Sequence, residues 1–187
     1  MESTANFSFS GYLAADLRRQ FRLLNGDGAP LPSGMALWLG VLSPRFVPVL
    51  LCRLAHRLYL MRLSALAKIV SLVNFFLFGI EIAVRCPIGP GLFFPHTQGT
   101  VIGAWSIGAN ATIFQGVTLG AREIDFSYGE EGRPTVGDDV TIGSGAKVLG
   151  GVTLGNRARI GANAVVVDHV PQGTLAVGIP ARIIQKN

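Results

Sequence analysis

The chain holds 187 residues, 49% of them apolar and only 14% charged, which excludes a disordered polyelectrolyte and leaves room for one domain with a smaller appendage. Its net charge of +5 is unevenly spread, with eight Lys or Arg against four Asp or Glu up to residue 84 and eight against seven beyond it. A dense basic stripe with interleaved aromatics is missing, so no nucleic acid is expected as a partner. The cationic, apolar N-terminal part instead fits contact with an anionic membrane surface, or a solvated helix face.

The opening stretch, "MESTANFSFSGYLAADLRRQ", lacks the basic-then-apolar layout of a signal peptide. The longest apolar tracts are cut by Pro30, Pro32 and Pro44, or by Arg62, Lys68 and Glu81, and none reaches the ~18 uninterrupted residues of a spanning helix. Cys52 and Cys86 are the only cysteines and form no CxxC. The expected setting is therefore reducing and cytoplasmic, with the chain at most peripheral to the inner membrane face. Residues 11 to 25 and 45 to 79 read as helices separated by the turn chemistry of "NGDGAPLPSG". In the second, Leu50, Leu51, Leu54 and Leu58 recur at helical spacing, with Arg53 and Arg57 four apart on another face. This helical region, residues 1 to 82, is apolar nearly all round, so it must pack against the second domain, a sister subunit or lipid.

From about residue 86 the period changes. Val101, Ile107, Ile113 and Leu119 are six apart, and after a gap so are Val136, Ile142, Val148, Leu154, Ile160 and Val166. A period of six fits neither an amphipathic helix nor an alternating strand. It marks a hexapeptide repeat, in which three short strands and three turns close a triangular coil and the coils stack. Small residues after most of these aliphatics ("IGAN", "IGSG", "LGNR") suit tight corners. Residues 83 to 187 are assigned to this prism, and the segment 121 to 135 is expected to leave it as an extruded loop, either functional or a solvated excursion. Just before the repeats, "GLFFPHTQGTVIG" sets His96 among apolar and small residues.

The motifs "FGIEI", "PHTQGTVIG", "TIFQGVTLG", "VTIGSGAKVLGGVTLGNRARIGANAVVV" and "VGIPARII" resemble the left-handed β-helix acyltransferases, and within them the serine O-acetyltransferase group, over roughly residues 45 to 187. The resemblance implies a mainly β fold, a left-handed parallel β-helix preceded by an α-helical region. It also implies a homotrimer with acetyl-CoA between neighbouring prisms and no metal. In that family the histidine matching His96 is the general base and the acid matching Glu81 orients it. An alcohol is a poor nucleophile until an imidazole within hydrogen-bond reach takes its proton, and a carboxylate on the other ring nitrogen fixes the tautomer. The fifteen residues between them are a little less than one coil, so a near-return to the same corner is expected. His96 as a purely structural residue is the alternative.

For the donor, the resemblance points to Gly120, Ser144 and Ala162, where small side chains admit the pantetheine arm, and to Arg159 and Arg182, whose charges suit phosphates. On the acceptor side, Pro95 stands where the serine enzymes carry Asp, and Ala83 where they carry a further His. Arg133 either replaces their second loop His or matches the preceding Arg with that His deleted. Groups that grip serine's amine and carboxylate are thus partly missing. That points to a different hydroxyl acceptor. The resemblance to a subgroup with short apolar helical N-termini, which acts in exopolysaccharide or capsule assembly, implies a sugar hydroxyl of such a precursor, free or lipid-linked, as the expected one. Serine is the alternative acceptor, and a non-catalytic trimeric scaffold the alternative of another class. His56, in the helices, and His169, near the C-terminus, are assigned no role, and the three histidines are too scattered for a zinc hydratase.

Overall fold

A computed structural model describes residues 8–32, 34–124 and 127–184. The chain begins with helix α1, Phe9–Asn25, whose N-cap Ser8 hydroxyl accepts the Gly11 N–H at 3.1 Å. A short helix α2, Gly34–Leu39, leads to α3, Val47–Leu60, and α4, Ser64–Phe78. The single helix expected over 45–79 is therefore two. The chain reverses at Arg62, in the left-handed region at φ 61°, and the Leu63 N–H closes the turn on the Leu58 carbonyl at 3.0 Å. Unbroken, such a helix would run ~50 Å; folded back, α4 packs along α3 and both reach the foot of the prism. The buried stripe of α3 also differs from expectation. It runs through Val49, Cys52, Arg53 and Ala55, while Leu54 is exposed. Among the described residues, no helix is long and apolar enough to cross a membrane.

The remainder is a left-handed parallel β-helix. Face 1 stacks β1 (Ile80–Ile82), β2 (Thr100–Ile102), β5 (Thr118–Gly120), β8 (Lys147–Leu149) and β11 (Val165–Val166). Face 2 stacks β3 (Ser106–Ile107), β6 (Thr135–Val136) and β9 (Thr153–Leu154). Face 3 stacks β4 (Thr112–Ile113), β7 (Thr141–Ile142), β10 (Arg159–Ile160) and β12 (Leu175–Val177), edged by the antiparallel β13 (Arg182–Ile184). Bridges at Ile88, Phe93 and Val170 complete the first and last coils.

Nine of the ten expected inward residues are buried, from Ile107 to Val166. The tenth is shifted by one. Val101 is 37% exposed and its neighbour Ile102 points inward at 1%. The cause is uneven coil length: twenty residues separate the register partners Ile82 and Ile102, seventeen separate Ile102 and Leu119, and eighteen separate Val148 and Val166.

The lower rim of the prism would expose an unpaired strand edge. It is closed by a buried ion pair between α1 and α3. Arg53 Nε donates to Asp16 Oδ2 at 2.9 Å, and its terminal nitrogens donate to the Ile88 carbonyl and, at 2.6 Å, to that of Gly89. Asp16 Oδ1 in turn accepts the N–H groups of Gly91 at 2.7 Å and Leu92 at 2.9 Å. Tyr12 covers the guanidinium, its ring centroid 4.7 Å away. His56 Nδ1 lies 2.8 Å from the Val84 carbonyl on the same rim. Replacing Asp16 by Ala strands a buried guanidinium and the two rim N–H groups of Gly91 and Leu92; the expected loss is about 3–5 kcal/mol of stability, read by urea denaturation.

Candidate active site

His96 lies at the corner between face 3 and face 1 of the first coil. The backbone there is fixed by inward Phe94 on one side and inward Thr100 on the other, both essentially buried. Between them the chain carries two residues more than the corner above. Five steps lead from Phe93 to Gln98, but only three from their partners Thr112 to Gln115. The extra length pushes Pro95 and His96 outward, and His96 is exposed. The bulge is held from below, where Thr97 Oγ1 donates to the Phe78 carbonyl at 2.7 Å and the Gly99 N–H to that of Gly79 at 2.9 Å. Gly79 ends α4 in the left-handed region at φ 62°, and a Cβ there would collide with Gln98. From the helical side, Arg45 Nε donates to the Pro95 carbonyl at 3.4 Å.

Glu81 sits mid-strand on β1, between inward Ile80 and Ile82, so its exposed side chain projects from face 1 beside Val101. The fifteen-residue spacing thus sets Glu81 opposite Val101, five residues beyond His96, and not at the same corner. The two side chains stand outside the prism on adjoining segments, and in the single chain no hydrogen bond or ion pair joins them.

Above His96 the same corner forms a ladder. Gly116 N–H donates to the Gln98 carbonyl at 3.0 Å, Gly145 N–H to that of Gln115 at 2.8 Å, and Asn163 N–H to that of Ser144 at 2.8 Å. Gln98, Gln115, Ser144 and Ala162 therefore stack, climbing roughly 14 Å in three coil steps of ~4.8 Å. Gly145 adopts φ 71°, and any Cβ there would strike the Asn163 side chain. Arg182 pairs with Val177 at the top of this corner, and Arg159 is exposed on β10, three residues before Ala162. Gly120 lies elsewhere, at the far end of β5, where its carbonyl accepts the Gly150 N–H at 2.8 Å.

The other end of face 1 carries the excursion. The chain leaves after Gly120 and rejoins at Thr135; residues 125 and 126 lie outside the described set. With the coil interrupted, the carbonyls above β2 take side-chain donors, Arg133 to Gly103 at 2.9 Å and Tyr128 Oη to Ala104 at 2.8 Å. The guanidinium of Arg133 stacks on Tyr128, 4.1 Å from the ring centroid, with Arg85 5.9 Å away on the same ring. Arg133 and His96 thus flank the two ends of β1 and β2, three-residue strands ~10 Å long, with Glu81 between them. Arg45, Tyr128 and Arg85 were not among the residues expected here. Nothing in the sequence singles out Tyr128 in a loop that also holds Ile124 and Phe126, and nothing links Arg45 to a corner fifty residues on.

An open cleft of about 750 Å³ lies beneath the loop, lined by Arg122, Glu131, Gly150, Val152, Asp168 and His169. None of His96, Glu81, Ser144 and Ala162 borders it. On its wall Arg122 donates to the Leu149 carbonyl at 3.3 Å and to that of Val167. His169 Nδ1 accepts the Thr153 N–H at 2.9 Å, a structural duty.

Comparison with known proteins follows this geometry. Residues 133–168 match the family described as bacterial transferase hexapeptide (six repeats). A serine acetyltransferase of Helicobacter pylori (strain J99) is 42% identical over 158 residues, covering 83% of this chain and 91% of that protein. A serine acetyltransferase of Bacillus pumilus (strain SAFR-032) is 45% identical over 138 residues, covering 72% of this chain but 61% of that protein, so the chain spans less than two thirds of this relative. A serine acetyltransferase structure in complex with CoA superposes with a TM-score of 0.78 at 31% identity, covering 96% of this chain and 71% of that one. The chain belongs to the hexapeptide-repeat transferases and, within them, to the serine acetyltransferase family.

Both thiols are free and buried. Burial pushes Cys52 from 9.0 up to about 11 and Cys86 up to about 12, and burial also raises the Tyr128 phenol beside Cys86. Between pH 9 and these values the folded thiols keep protons that the unfolded chain has lost, so stability is full below pH 9 and falls as pH rises. The expected outcome is a urea midpoint that drops from pH 9 to pH 11, with both thiols resisting iodoacetamide at pH 9 until denaturant is added.

Proposed function

We propose that the chain is an acetyl-CoA-dependent O-acetyltransferase. The observation that carries this reading is the exposed imidazole of His96, set on an outward bulge at the foot of the Gln98–Gln115–Ser144–Ala162 ladder, with outward Glu81 on the adjoining strand β1. The acceptor hydroxyl attacks the thioester carbonyl while His96 removes its proton. The carbon–oxygen bond forms, the carbon–sulfur bond breaks, and the proton passes to the leaving thiolate. Glu81 orients the ring and stabilises the imidazolium once an acceptor draws the two side chains together. The donor arm runs up the ladder past Ser144 and Ala162, with Arg182 and Arg159 near its phosphate end. The ladder is open in the single chain, and a neighbouring prism of a homotrimer would supply the second wall.

Serine ranks first as the acceptor, because the similar relatives described above are named serine acetyltransferases. A sugar hydroxyl is the second reading, favoured by one observation. Where an ammonium-binding acid would stand there is Pro95, whose carbonyl already accepts from cationic Arg45, leaving Glu81 as the acid beside His96.

Thiol release from acetyl-CoA separates these. Turnover with L-serine supports the first reading, and turnover only with sugar acceptors supports the second. In either case His96→Ala should lower kcat by ~10²–10⁴ while the melting temperature stays unchanged, since the ring is exposed. Undiminished transfer by that variant would remove the mechanism.

A further inference from the structure

The outer surface of α4 is unlike the rest of the molecule. Its inner side, Ala67 and Asn74, packs on the protein, and Asn74 Nδ2 donates to the Pro48 carbonyl at 3.0 Å. Opposite them, Ile69, Leu72 and Phe76 repeat at helical spacing and are 56%, 53% and 74% exposed. Leu66, Val73 and Leu77 widen this stripe, and Leu60 and Met61 extend it over the α3–α4 turn. So large a contiguous apolar surface calls for an occupant.

The charges beside it say which. From residue 28 to residue 80 the chain holds no Asp or Glu and five cations. Arg53 is buried and paired with Asp16, while Arg45, Arg57, Arg62 and Lys68 are exposed. Arg62 lies in the turn that opens α4 and Lys68 on its first turns, so cations border the apolar stripe without compensating acids. A second copy docked through this stripe about a twofold axis would set like charges against each other. An anionic bilayer offers the complementary charge and an apolar layer behind it. Fifteen residues make a helix of ~22 Å, short of the ~30 Å hydrocarbon core, so α4 lies along the interface rather than through it.

We propose that the outer face of α4, with Arg62 and Lys68, is a docking surface for the headgroup layer of an anionic lipid bilayer. The proposal is independent of the acetyl-transfer chemistry. The test is co-flotation of the full chain with phosphatidylcholine vesicles containing about 30 mol% phosphatidylglycerol, beside vesicles of phosphatidylcholine alone. The chain should float with the anionic vesicles only, and high salt should release it. Arg62→Glu with Lys68→Glu, both on exposed positions, should weaken binding about tenfold or more with an unchanged thermal melt. Phe76→Glu should do the same, whereas Gln172→Glu, the same charge step at an exposed position of the last coil, should not. Failure to float with anionic vesicles overturns the proposal. So does a Phe76→Glu variant that still floats but falls to a smaller mass in light scattering, which would assign the stripe to contacts between subunits.

Discussion

A carboxylate and a guanidinium, both withdrawn from water, join the helical layer to the first coil. Asp16 and Arg53 come from different helices, and between them they satisfy four backbone groups on the lower rim of the prism. Such a pair adds little net stability compared with apolar packing, because two charges must be desolvated. What it supplies is registry. The bonds tie α1 and α3 to the first coil, and α4, the Gly79 cap and the start of β1 follow from α3 along the chain. Since β1 carries Glu81 and the Phe78–Gly79 carbonyls anchor the His96 bulge, the geometry of the outer site is inherited from an interaction that never touches it.

The prism itself works differently. Each coil repeats the hydrogen bonds of its neighbour, so its stability accumulates coil by coil and tolerates departures at the corners. Both departures seen here, the two added residues at His96 and the excursion after Gly120, leave the inward residues buried above and below. Chemistry and scaffold are thereby separated: the interior holds the shape, and the corners carry groups that face solvent.

This separation explains what could be read in advance. Ile107 through Val166 were legible because each strand offers one aliphatic to a narrow interior, and the interval is kept by stacking. The pair Val101–Ile102 was not, since Val101 keeps the six-residue interval and Ile102 breaks it, and only the seventeen-residue coil turns Ile102 inward. The reversal at Arg62 carries no Gly or Pro and was invisible. Arg53 looked like one member of a cationic helix face because its partner lies 37 residues away and meets it only through tertiary packing. At the site, His96 and Glu81 stood out through family motifs, whereas Arg45 beside Pro95 and Tyr128 under Arg133 depend on loops whose paths no periodicity dictates.

The excursion leaves after Gly120 and rejoins at Thr135 with ladder bonds intact on both sides, from Gly150 N–H to Gly120 and from Trp105 N–H to Pro134. Its ends are therefore clamped in a frame that does not depend on what lies between them, and lengthening it costs only slowly growing closure entropy. Such a segment behaves as an exchangeable cassette. Some fourteen residues there can change in length and sequence while the coils above and below pass unchanged from one version to the next.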